Sequence, residues 1–197
     1  FQAKKSRIFT KIVVSTDSKK IQNISKKFGA ENWFIRPRHL SSDKSEKQLA
    51  VRHLLISAEK YYKIKFDVIV DLDVTCPLRK INDIKLSFKK FKNTKSDVLF
   101  TICESKKNPY FNMVEIINNK IRLVKSKVNH VVRRQDAPKV YDLGCDSIQK
   151  REIVLKKGRK DLFTQKTSYY LMPSERSVDI DTKQDWKLVN FLINNID

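Results

Sequence analysis

Apolar and polar positions along the chain switch repeatedly between a two-residue and a helical period. Residues 11–15, Lys-Ile-Val-Val-Ser, form a short apolar run of buried-strand type, and Ser15, Thr16, Asp17 and Ser18 then offer capping oxygens. Residues 21–28 predict an amphipathic helix that stops at Gly29, a residue suited to a left-handed C-cap. A second short strand is predicted over 32–35, ended by Arg36-Pro37. Ser41, Ser42 and Asp43 cap a helix running to about residue 60, with Leu49, Leu54, Leu55 and Ala58 on its inner side. Residues 66–73, Phe-Asp-Val-Ile-Val-Asp-Leu-Asp, make the clearest core strand, which runs into a turn at Thr75-Cys76-Pro77 and a helix over 81–91.

A strand over 97–103 follows, then a hairpin of residues 111–117 and 121–124 around Asn118-Asn119. Residues 125–141 are basic, contain Pro138 and predict a loop, while 147–155 fit helix and strand equally. A late strand is predicted over 167–172 and a terminal helix over 182–196, where Trp186, Val189, Ile193 and Ile196 recur near the helical period. Thr182 with Asp185 three residues on gives that helix a capping arrangement. Strands alternating with helices imply right-handed crossovers and a largely parallel sheet between helical layers, in one α/β domain spanning residues 1–197. Residues 111–139 predict an insert leaving the main body.

At 197 residues the chain is long enough to bury a core without disulfide or metal. Cys76, Cys103 and Cys145 are odd in number and far apart in sequence, which offers neither a disulfide framework nor a CxxC site. No apolar run nears the ~18 residues of a membrane span, and a cytoplasmic location is the default expectation. The chain opens on Phe1 rather than Met, so its natural N-terminus is expected to be missing. Lys and Arg total 42 against 22 Asp and Glu, a net charge of +20. Such a balance suits a nucleic-acid binder. However, the cations are mostly lysines spread in pairs along the chain, as on solvated faces, and they gather on no single arm.

Ligands of open parallel sheets bind beyond the carboxyl ends of the strands. That places candidate chemistry at Ser15-Thr-Asp17, at Asp71 to Arg79, at Glu104 to Asn112 and at Ser177-Val-Asp-Ile-Asp181. In extended chain Asp179 and Asp181 present two carboxylates to one side, the hard oxygen donors that Mg²⁺ prefers. From spacing alone, capping of the last helix is the stronger account of that pair. Asp71 and Asp73 repeat the spacing at the end of the strongest strand. Arg133-Arg134 suits a carboxylate or phosphate, or a plain basic surface. His39, His53 and His130 show no ligand spacing, and no Ser-His-Asp order, zinc spacing or Gly-rich phosphate loop is present.

The order of motifs extends this picture. Ile12-Val-Val-Ser-Thr-Asp-Ser18, Arg36-Pro37 with Ser42-Asp43, and Asp71-Leu-Asp-Val-Thr-Cys-Pro-Leu-Arg79 come first. Asn108-Pro-Tyr-Phe-Asn-Met-Val-Glu115, Arg133-Arg-Gln-Asp-Ala-Pro-Lys-Val-Tyr141 and Glu175-Arg-Ser-Val-Asp-Ile-Asp-Thr182 follow. Together they resemble the acylneuraminate cytidylyltransferase family, closest to its bacterial branch acting on legionaminic-type nine-carbon sugar acids. The resemblance runs the length of the chain. It implies a three-layer Rossmann-like, mostly parallel sheet of the nucleotide-diphospho-sugar transferase type, and transfer of CMP from CTP to a nine-carbon 2-keto sugar acid with release of pyrophosphate.

It also implies roles. Asp179 and Asp181 match the family's catalytic Mg²⁺-binding pair, and Arg36 and Lys47 fall where the family contacts cytidine. Asp73 takes the place of a polar residue touching the sugar, Asn112 that of a further substrate contact, Arg134 that of a basic residue for the acceptor carboxylate, and Tyr141 a wall of the sugar pocket. A homodimer is implied, with about 108–145 as its dimerisation insert and Arg134 serving a neighbouring subunit. Two departures stand out. Relatives begin with a strand and a phosphate-cradling loop, and nothing of that kind precedes Lys11, so the first strand is expected to be missing and the 197-residue chain inactive alone. Relatives often read Asp-Met-Asn-Ala-Ser after the tyrosine, where this chain has Asp142-Leu-Gly-Cys-Asp-Ser147. The alternatives are transfer to the eight-carbon acid 3-deoxy-manno-octulosonate and a basic nucleic-acid-binding module retaining the fold.

Overall fold

The computed structural model describes residues 1–42, 44–125, 131, 133–156 and 162–195. Asp43, expected as a cap, and Ile196, expected in the last helical stripe, lie outside the described residues, as do 126–130 and 132 of the basic loop. The elements run α1 (Gln2–Ser6), α2 (Lys19–Lys27), α3 (Lys47–Tyr62), β1 (Val68–Leu72), α4 (Ile81–Asn93), β2 (Val98–Glu104), β3 (Val114–Ile117) and β4 (Lys120–Leu123). They continue with β5 (Tyr141–Lys150), α5 (Arg151–Leu155), β6 (Thr167–Leu171) and α6 (Lys183–Asn195).

Four strands form the main sheet in the order β1-β5-β2-β6. β6 is parallel to β2, and β5 is antiparallel to both β1 and β2, so β1, β2 and β6 all point one way. Three strands share one sense, but only the β2–β6 ladder is parallel and β5 makes two antiparallel ladders, so the described sheet is mixed where a mostly parallel one was expected. Val68 and Val70 of β1 join Leu99 and Ile148 against Phe88 and Phe91 of α4. On the other face Val98 and Phe100 pack with Ile153 of α5 and Leu162. Helices thus cover both faces, as alternation along buried strands requires.

β1 is an edge strand, and each of its residues is only half-buried, because β5 pairs it on one side alone. The run 11–15 does not enter the sheet. Its ladder is reduced to one parallel bridge between Val13 and Glu31, with Val14 N–H donating to Glu31 O at 3.1 Å and Glu31 N–H to Ile12 O at 2.7 Å. The expected strand over 32–35 is likewise irregular. That segment docks on α3 instead: Trp33 stacks on Tyr61 at 4.3 Å, and Tyr62 Oη donates to Glu31 at 2.7 Å.

Local signals account for the other ends. Ser18 accepts from the Ile21 N–H and caps α2, and Gly29 follows it at φ 84°, a left-handed value glycine takes without strain. α3 starts at Lys47 with no side-chain cap, so Ser41 and Ser42 do not cap it. Asn118 and Asn119 have φ 51° and 58°, the geometry of a tight hairpin turn. Residues 147–155 resolve into the end of β5 and the whole of α5. Gly144 lies where β2 and β5 slip register, and a Cβ there would stand 2.8 Å from Thr101 O.

Candidate functional site

The same-sense strands β1 and β2 carry their carboxyl ends to one rim, and the segment after β6 returns across it. Ile180 N–H donates to Thr75 O at 2.9 Å, and Cys76 Sγ donates to Arg176 O at 3.5 Å. The turn after β1 and the Asp179–Asp181 segment are therefore bound together backbone to backbone. Arg176 anchors the returning segment further, since its guanidinium forks onto the buried Asp83 carboxylate at 3.0 and 2.9 Å, where Tyr170 Oη also donates. Beneath them Cys76, Cys145 and Met172 form a small buried cluster. The hydrogen bond Cys145 donates to Cys76, together with burial, pushes the Cys145 thiol up.

Lys47, at the first turn of α3, places its Nζ 2.8 Å from Asp71 and 2.6 Å from Asp73. Burial works against the ammonium, yet the two carboxylates more than offset it and the Lys47 pKa ends above its ordinary value. Burial raises the Asp71 carboxyl, and Lys47 only partly offsets this. On the opposite face of β1, Arg79 and Asp146 form an ion pair at 2.9 Å, with both side chains almost wholly buried. Burial pushes the Asp146 carboxyl up to about 6 despite Arg79 beside it.

The capping account of Asp179 and Asp181 gives way to a different cap. Thr182 N–H and Oγ1 both donate to Asp185 Oδ2 at 2.7 Å, and Asp185 N–H returns to Thr182 Oγ1 at 3.2 Å. Those two residues start α6. Asp179 keeps a buried Oδ1 with no hydrogen-bond partner, and Asp181 is exposed beside it. A buried oxygen without a donor calls for a cation or a proton. Among the described residues no group of three or more His, Cys, Asp or Glu is placed to hold a metal ion. Two carboxylates fit Mg²⁺ only where substrate phosphate and water complete the shell, which is that ion's usual habit.

The other expected residues lie around this rim without converging on one point. Arg36 donates from Nε to Ser41 Oγ at 3.0 Å, with Asp17 3.9 Å away. Asn112 accepts from the Asn108 N–H at 2.7 Å and so closes its own turn. Arg134 donates to Lys106 O at 2.5 Å, and Tyr141 stands opposite Glu104, partly exposed. Near the end of β2 a cavity of about 390 Å³ is lined by Glu104, Ser105, Lys106, Lys107, Asp142, Ser174 and Ser177, among others. Lys106, Lys107 and the three serines were not singled out from sequence, although Ser105, Lys106 and Lys107 fall within the candidate stretch 104–112 and Ser177 opens the stretch 177–181. The Arg79–Asp146 pair, 67 positions apart, left no sequence signal.

The cytidylyltransferase family matches residues 1–193. A protein named post-translational flagellin modification protein B, from Campylobacter coli, is 39% identical over 193 residues, covering 98% of this chain and 80% of its own length. The CMP-N,N'-diacetyllegionaminic acid synthase of Campylobacter jejuni is 39% identical over 98% of this chain and 81% of its own. In fold, the chain resembles a solved CMP:2-keto-3-deoxy-manno-octonic acid synthetase complexed with CTP, at TM-score 0.66 and 11% identity over 98% of this chain and 84% of that one. Motif order, a site at the carboxyl rim of a mixed sheet, and a match across nearly every residue lead to one conclusion: the chain belongs to the cytidylyltransferase family.

Proposed function

We propose that the protein activates a nine-carbon 2-keto sugar acid of the legionaminic type by joining it to CMP. The anomeric oxygen of the acid attacks the α-phosphorus of CTP, the bond to the β-phosphate oxygen breaks, and pyrophosphate leaves. The observation that carries this reading is the binding of the Asp179–Asp181 segment to the turn after Asp73, with Asp179 keeping a buried oxygen free. The 39% identity to a legionaminic acid synthase supports the nine-carbon acceptor over the eight-carbon one, whose enzyme shares the fold at 11% identity.

Asp179 and Asp181 would hold Mg²⁺, which when bound offsets the negative charge gathering on the triphosphate. In this reading Arg36 faces the cytidine, and Lys47 is set by Asp71 and Asp73 to do the same. Asp73 and Asn112 meet the sugar, Tyr141 walls its pocket, and Arg134 pairs with the acceptor carboxylate. The hairpin supports a homodimer, because Ile116 and Ile121 pair across it and are each 71% exposed. On this reading the dimerisation insert, expected over about 108–145, ends before Tyr141, where β5 enters the main sheet, and Arg134 serves the neighbouring site. No helix among the described residues is long and apolar enough to cross a membrane. A cytoplasmic place, where CTP is made, goes with the proposal. The test is pyrophosphate release by the intact protein from CTP, Mg²⁺ and N,N'-diacetyllegionaminic acid; none with any of several nine-carbon acids would overturn the reading.

A further inference from the structure

We infer that the buried Arg79–Asp146 pair is a positioning device for Asp73, and through it for the sugar acid. The inference rests on the proposed contact between Asp73 and the acceptor. β1 ends at Leu72, whose ladder partner on β5 is Asp146, so Asp73 is the first residue beyond the ladder. Its side chain and its peptide are then held from opposite faces. Lys47 takes the carboxylate at 2.6 Å from the α3 side. From the α4 side the Arg79 guanidinium donates to Asp73 O while its Nε sits 2.9 Å from Asp146 Oδ2. The Asp73 backbone N–H in turn favours the charged form of Asp146.

Each member of the pair is itself fixed. Gln2 of α1 donates to Arg79 O at 2.6 Å and to Pro77 O at 2.8 Å. Thr101 Oγ1 donates to Asp146 O at 3.3 Å and accepts from Asp146 N–H at 3.2 Å. Arg79 and Asp146 are 5% and 6% exposed, and Asp146 Oδ1 has no hydrogen-bond partner. A buried ion pair with an oxygen left over is a poor way to gain stability, since well-packed apolar residues do as well or better. What it supplies is a set position for the peptide that its cation grips.

Three variants of the intact protein test this, each with separate KM values for CTP and N,N'-diacetyllegionaminic acid and a melting temperature. In the doubly apolar variant Arg79→Met with Asp146→Leu, the acceptor KM rises ten- to a hundredfold, the scale of a misplacement near 1 Å. Its KM for CTP stays within about twofold and the fold melts cooperatively. Arg79→Lys, which keeps the charge, recovers part of the loss and stands in if the double variant does not fold. Asp73→Ala raises the acceptor KM at least as far. If Asp73→Ala raises it while the double variant and Arg79→Lys leave it unchanged, or raise both KM values alike, the positioning role is overturned alone. If Asp73→Ala leaves it unchanged, the contact beneath the inference fails and the inference with it.

Discussion

Ile180 donates its backbone N–H to the carbonyl of Thr75 at 2.9 Å, across 105 positions of sequence. That bond ties the Asp179-Ile-Asp181 segment to the turn that follows Asp71-Leu-Asp73.

Removing one carboxylate of the second motif separates metal binding from architecture. Asp179→Asn and Asp181→Asn, made singly in the intact protein, each lower kcat about 10²-fold or more and raise the Mg²⁺ concentration needed. Melting temperatures stay near the parent's, because neither carboxylate caps α6. Near-normal kcat in both, read in a Mg²⁺ titration of rate, ends the metal assignment.

Thr182 gives the opposite pattern. Thr182→Ala removes the hydroxyl that exchanges hydrogen bonds with Asp185, and stability falls by about 1 kcal/mol in urea unfolding. The kcat and Mg²⁺ requirement stay unchanged. A loss of turnover at unaltered stability would move the cap into the catalytic machinery.

Asp146 predicts a pH dependence with a definite sign. Its carboxyl is pushed up to about 6 from an ordinary 3.8, so folding takes up protons there. The stability this group lends is fully present below about pH 4 and is lost as pH rises past 6, a span worth up to about 3 kcal/mol. The melting-temperature gap between the parent and Asp146→Asn therefore narrows from pH 4 to pH 7. A widening gap would mean that Arg79 outweighs burial.

The hairpin yields a prediction about assembly. If the hairpin carries the proposed dimer, Ile116→Lys together with Ile121→Lys puts two cations on an apolar patch and leaves the protein a monomer in sedimentation where the parent is a dimer. The fold tolerates this, since both side chains already face outward. A dimer that survives would remove the hairpin from the interface.

Elements whose signal is local were legible in the sequence. The alternation of 66–73 gave β1, Asn118-Asn119 gave the hairpin, and Thr182 with Asp185 gave the start of α6. Readings that depended on distant partners were less complete. β5 was only half legible, since 147–155 fitted helix and strand equally and no strand was read over 141–146. Its buried polar residues Asp146, Ser147 and Gln149 depend on distant partners, and Gln149 accepts from Gln48 at 2.8 Å, 101 positions away. The run 11–15 carries a strand pattern, but a strand needs a neighbour's backbone as well as apolar side chains, and Val13 has only one bridge. The carboxylates of the site could be named from spacing. Their environment, a lysine shared by Asp71 and Asp73 and an orphaned oxygen on Asp179, required the fold.

The most direct test of the proposed chemistry is the ratio of kcat/KM for two acceptors, measured on the intact protein with CTP and Mg²⁺. N,N'-diacetyllegionaminic acid should be converted to its CMP ester at least a hundredfold more efficiently than 3-deoxy-manno-octulosonate, with one pyrophosphate released per ester formed. Equal efficiency, or preference for the eight-carbon acid, would contradict the account.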